Sequence, residues 1–192
     1  MKLYFLILSS ALLCACGNNS SEIKPTPVSK VEEEPGFFPV TSYLKGQLYD
    51  IKAKGVTPIK YTTINNRTDS VMVKLDSLNI LCKEFLQPEI DSTNLINFFT
   101  ESKFLDQTVD AFTFTYDAKK NIPDSIQLIH WDVYVEPETS KVRRVYITKK
   151  GDSNKILQLT WQSNQWFKIV TIISNKDGTS TVEKEEKISW DY

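Results

Sequence analysis

From residue 111 onward the chain runs in six β-rich stretches, 111–116, 125–135, 141–149, 155–162, 166–174 and 179–190. Their separators, among them E-P-E-T-S, K-G-D-S-N and N-K-D-G, are short and made of turn-forming residues. A parallel connection needs a crossover of about a dozen residues or more, so neighbours joined this tightly must run antiparallel. The second half of the chain is therefore expected to be a meander of about six strands.

The first half reads differently. Val40, Leu44, Leu48 and Ile51 recur at helical spacing and predict a helix over 40–52, with Gly55 as its stop. Residues 59–64, I-K-Y-T-T-I, read as a short strand, and Asn65-Asn66-Arg67-Thr68-Asp69 as a turn. Val71, Leu75, Leu78, Cys82 and Phe85 form a second helical stripe, closed by Pro88 and firmest over 76–86. Ser92 or Thr93 caps a third helical piece through Leu95, Ile96, Phe98 and Phe99 towards Leu105. The expected fold class is α+β, with two or three N-terminal helices packed on a C-terminal antiparallel meander sheet of about six strands.

Strict alternation in 125–135 puts Ile129, Trp131, Val133 and Val135 on one face and Ile126, Leu128, His130, Asp132 and Tyr134 on the other. Neither side is cleanly polar. A sheet apolar on both sides is either sandwiched or strongly curved around something.

The N-terminus carries an address. Lys2 precedes a thirteen-residue apolar run, 3–15, which matches a secretory signal and is too short to span a bilayer as a helix. Leu13-Cys14-Ala15-Cys16 resembles the lipobox of bacterial lipoproteins. That resemblance implies cleavage before Cys16 and lipidation of Cys16, which anchors the mature chain to the cell envelope. Gly17, where an inner-membrane retention signal would place Asp, favours the outer membrane. The stretch from Gly17 to Pro35, rich in Ser, Pro and Glu, reads as a flexible tether. The expected organisation is a signal peptide over 1–15, Cys16 and tether over 16–36, and one domain over 37–192.

Charge excludes one class of partner. With 23 basic and 24 acidic side chains, the chain has no electrostatic footprint for nucleic acid. Cys82 is the one cysteine beyond the leader and anchor, so no disulfide within the domain can stabilise it. No Gly-rich phosphate loop or Cys-x-x-Cys pair is present, and no cofactor or metal is expected.

His130 is the single histidine. It shares a strand face with Asp132, a spacing that suits two metal ligands or a base with its orienting acid. Asp132 and Glu136, with His130, are the candidates for general acid/base work should the protein be catalytic. Trp131, Trp161 and Trp166 are the candidates for lining a ligand groove, since large aromatics serve either a core or a binding surface. The basic group Lys141, Arg143, Arg144, Lys149 and Lys150 lines one expected hairpin.

Two functional readings follow. In the first, the chain is a non-catalytic envelope lipoprotein, a binding or assembly module that cradles an apolar ligand or meets a protein partner. In the second, it is a carboxylate-dependent hydrolase acting on envelope or environmental polymers. They differ in the site they require: an apolar cavity, or two converging acids with opposed pKa shifts.

Overall fold

The helical spacing of Val40, Leu44, Leu48 and Ile51 produces α1 (Val40–Ala53), with all four side chains buried on one stripe. Gly55 ends it with φ of +65°, a left-handed conformation that costs a side-chain-bearing residue energy. The structure is a computed structural model and describes residues 36–191. The leader, Cys16 and the tether up to Pro35 lie outside the described residues.

Nine strands follow α1: β1 (Ile59–Ile64), β2 (Arg67–Met72), β3 (Phe99–Asp106), β4 (Ala111–Ala118), β5 (Leu128–Val135), β6 (Val142–Lys150), β7 (Lys155–Gln162), β8 (Trp166–Ser174) and β9 (Ser180–Ser189). All pair antiparallel in one sheet, in the order β2-β1-β9-β8-β7-β6-β5-β4-β3. The last seven are a meander. The β1–β2 hairpin returns to pair with β9 and extends the far edge.

This overturns the expected α+β class and its six-stranded sheet. The chain is a mostly β protein, about 16% helical. Beyond α1, the helices are the four-residue pieces α2 (Leu78–Leu81) and α3 (Lys83–Leu86), preceded by a 3-10 turn at Leu75–Ser77. The stripe through Val71 and Phe85 thus begins in strand β2 and breaks at Cys82. The third expected helix is absent: residues 92–98 are bends and turns, and Phe99 to Asp106 is strand β3.

One face of the sheet carries the core. Tyr116, Trp131, Val133, Val145, Ile147, Leu159, Trp161, Phe167 and Ile188 meet the α1 stripe together with Leu78, Cys82, Phe85 and Ile90. Trp161 stacks on Phe167 at 5.0 Å and meets Phe85 edge-on at 5.5 Å, while Tyr116 stacks on Trp131 at 4.5 Å. Each such buried ring contributes roughly 1.5–3 kcal/mol of transfer free energy. Lys149, 3% exposed, ties the helical layer to the sheet: its ammonium donates to the carbonyls of Glu84 at 3.2 Å and Gln87 at 2.6 Å.

The opposite face is uncovered and mixed, with Ile156, Ile172 and Val182 aligned across β7, β8 and β9 on it. A register irregularity between Leu128 and His130 turns Leu128 into the core beside Trp131, which strict alternation had placed on the His130 side. One unbroken rung then crosses all nine strands: Ser70, Tyr61, Lys187, Lys168, Thr160, Tyr146, Asp132, Thr115 and Ser102. Hydroxyls, charges and aromatic rings alternate along it, as suits a solvated sheet face.

Candidate functional site

Two places in the described residues gather chemistry, one on each face of the sheet. The first is built by the β4–β5 register, which sets Asp117 opposite His130 and Thr115 opposite Asp132 on the uncovered face. His130 Nδ1 lies 2.8 Å from Asp117 Oδ1, and Nε2 lies 3.0 Å from Asp132 Oδ2. Asp132 also accepts from the Thr115 hydroxyl at 2.7 Å and from the Tyr134 hydroxyl at 3.3 Å.

The electrostatics follow from that geometry. The Asp132 hydrogen bond, opposed by partial burial and helped by Asp117, raises the His130 pKa to about 9. Burial works against the Asp132 carboxylate, yet the His130, Thr115 and Tyr134 hydrogen bonds outweigh it and hold its pKa below the usual value. At neutral pH the ring is an imidazolium donating from both nitrogens. In that state neither nitrogen has a lone pair for a metal or a substrate proton. His130 bridges two acids instead of converging with them, and among the described residues no group of three His, Cys, Asp or Glu is placed to hold a metal ion.

Glu136 is brought to neither acid. It lies four residues beyond Asp132, roughly 13 Å of extended chain. There its backbone N–H donates to the Lys141 carbonyl at 2.9 Å and its carboxylate accepts from the Thr139 hydroxyl at 2.7 Å, so it shapes the β5–β6 turn. Paired carboxylates in glycoside hydrolysis stand about 5 to 9.5 Å apart.

The three tryptophans are split between environments. Trp131 and Trp161 are completely buried in the core. Trp166, opposite Gln162, stands half-buried on the uncovered face with the Lys187 ammonium 5.0 Å from its ring centre. Trp161 and Trp166 therefore occupy opposite faces of one hairpin. Cys82 is sealed in the core, and burial pushes its thiol up to about 11, which keeps it protonated. The basic group on the β5–β6 hairpin also divides, with Lys149 buried and Arg143 reaching the β3–β4 turn.

The second place is a cleft of about 310 Å³ between α2 and strands β7 to β9. Leu157, Ile169 and Ile188 form its floor, and Ile80 and Leu81 its wall. Ile80 is 78% exposed, unusual for a branched aliphatic side chain beside a core. The rim is charged. Glu186 takes Lys60 at 2.6 Å and Lys184 at 2.8 Å, and Glu84 takes Lys149 at 2.7 Å. Sequence reasoning missed this site because its floor comes from three strands and its wall from a helix whose turn positions have no periodic signature.

No family model, curated protein or solved structure matches the chain.

Proposed function

We propose that the chain is a lipid-anchored protein of the bacterial envelope whose domain binds an apolar ligand and does not catalyse. The address comes from the lipobox-like Leu13-Cys14-Ala15-Cys16. The observation that carries the binding role is the cleft beside α2: an apolar floor of three strands, an exposed Ile80 and a rim of paired charges. Its volume lies at the lower end of small-ligand sites, which run from about 300 to 1,000 Å³. An apolar chain laid on Leu157, Ile169 and Ile188 would cover the exposed Ile80.

Titration of the full-length acylated protein with the fluorescent fatty acid cis-parinaric acid tests the ligand. Saturable binding, weakened roughly tenfold or more by Ile80→Glu at the cleft mouth, is expected. Absence of saturable binding, or indifference to that substitution, would overturn it. Native mass spectrometry of detergent-extracted protein tests the anchor: a mature mass beginning at Cys16 with acyl chains is expected, and an unprocessed leader would refute it.

A further inference from the structure

We propose that the tip of the β3–β4 hairpin is a second membrane contact, an apolar wedge that enters the interfacial layer of the bilayer. The inference rests on the lipid-anchor reading at Cys16.

The wedge is apolar on both sides. Leu105 pairs with Phe112 on one face of the ribbon, while Phe104, opposite Thr113, projects from the other. Phe104 is 50% exposed, Leu105 48%, Phe112 45%, and Val109 in the turn between them 39%. Exposed apolar side chains on both faces of one hairpin end cannot all be covered by a flat partner, which would meet a single face. A fluid apolar medium surrounds both.

The tip is also built to enter such a medium with few unsatisfied polar groups. Asp106 accepts from the Thr108 N–H at 2.9 Å and hydroxyl at 2.6 Å, closing the turn. Arg143 donates to the carbonyls of Val109 and Asp110, satisfying backbone groups that lipid would leave unpaired. Lys103, its ammonium 2.9 Å from the Glu101 carboxylate and 5.4 Å from the Phe114 ring, and Arg143 flank the tip with charge. The acids Asp106 and Asp110 balance them, so contact is shallow and driven by apolar burial more than by anionic lipid.

Connection to the anchor favours lipid over a second copy of the chain. Nineteen residues lie between Cys16 and Gly36, which holds the domain within roughly 70 Å of the bilayer. The described chain begins beside β4 and β5, where Phe37 packs on Tyr116 and Trp131, four residues along β4 from Phe112. Anchoring supplies the local concentration that a weak second contact needs.

The test places an environment-sensitive nitrobenzoxadiazole label at Gln107→Cys in the full acylated protein. There lipid blocks Cys16 and the core hides Cys82. On vesicles of phosphatidylethanolamine and phosphatidylglycerol, 3:1, a blue-shifted emission quenched by brominated lipid is expected. Phe104→Asp with Phe112→Asp should abolish the quenching while the urea midpoint stays close to that of the parent. Absence of quenching, quenching that survives the double substitution, or a blue shift that tracks protein concentration without lipid would overturn the proposal. The last result would indicate self-association. Unacylated full chain from cell-free synthesis separates the two readings. If mass spectrometry finds no acylation in cells, yet this form binds vesicles and the double substitution weakens binding roughly tenfold or more, the anchor fails and the wedge stands. If acylation is found and the tip is not quenched, the wedge fails and the anchor stands.

Discussion

His130 and Asp132, two residues apart on one face of β5, are joined by a 3.0 Å contact between Nε2 and Oδ2, while Asp117 holds the other ring nitrogen at 2.8 Å. The arrangement stores stability in the protonated ring. A histidine whose folded pKa is about 9, against about 6.5 unfolded, contributes its full stabilisation below the lower value and loses it as pH rises through the upper one. The contribution is on the order of 2 kcal/mol after allowing for the solvent screening of Asp117, and it is the same interaction that depresses Asp132, not an addition to it. Urea unfolding should show the parent losing stability from about pH 6.5 upwards while His130→Gln stays flat until about pH 8, above which the buried Cys82 thiol begins to contribute in both. An NMR titration of the ring protons with a midpoint near the ordinary histidine value would contradict the expectation.

Lys149 makes a separate prediction on the other face. Its buried ammonium satisfies the Glu84 and Gln87 carbonyls and pairs with the Glu84 carboxylate at 2.7 Å. Lys149→Met removes those donors, strands two carbonyls and should cost about 2–4 kcal/mol. Glu84→Gln should cost well under half of that, because the Glu84 side chain is 40% exposed. Denaturant midpoints of the two variants check the ratio.

Much of the sheet was legible because burial writes periodicity into sequence. The six expected meander strands match β4 to β9 within a few residues, and the first helix matches α1. The errors lie where burial leaves no pattern. Strand β2 is exposed along its whole length and pairs only with β1, so R-T-D-S-V-M has no alternation to read, and its Val71 was absorbed into a helical stripe. At the other edge, β3 buries only Phe99 fully, and its Phe104 and Leu105 fit a helix as well as a strand. In the His130 cluster, His130 and Asp132 were visible as a pair by spacing. Asp117 and Thr115 were not visible as their partners, because that contact depends on the β4–β5 register across a nine-residue connection. The pairing of β1 with β9 spans most of the domain, and no local pattern encodes it.

The division of the tryptophans is measurable. Trp161 is fully buried, and its indole N–H has no hydrogen-bond partner among the described residues. Trp161→Phe keeps most of the packing and removes an unsatisfied donor, so it should cost on the order of 1 kcal/mol, whereas Trp161→Ala should cost about 3–5. Trp166→Ala, on the uncovered face, should cost under about 1.5 kcal/mol. Thermal and urea unfolding of the three variants give the order directly.

The β1–β2 hairpin offers a stabilising change. Asn65 and Asn66 both adopt positive φ, 49° and 62°, the conformation of a two-residue type I′ turn between Ile64 and Arg67. Asparagine tolerates that region, and glycine at the second position fits it better. Asn66→Gly should therefore leave stability unchanged or raise it by up to about 0.5 kcal/mol, while Asn66→Ala lowers it by about 1 kcal/mol. Because β2 pairs with β1 alone, the effect should appear first as local opening: amide hydrogen exchange in Arg67 to Met72 accelerates in the alanine variant before the global unfolding midpoint moves. Equal acceleration in the β6 and β7 amides would instead mean that the edge hairpin unfolds only with the whole sheet.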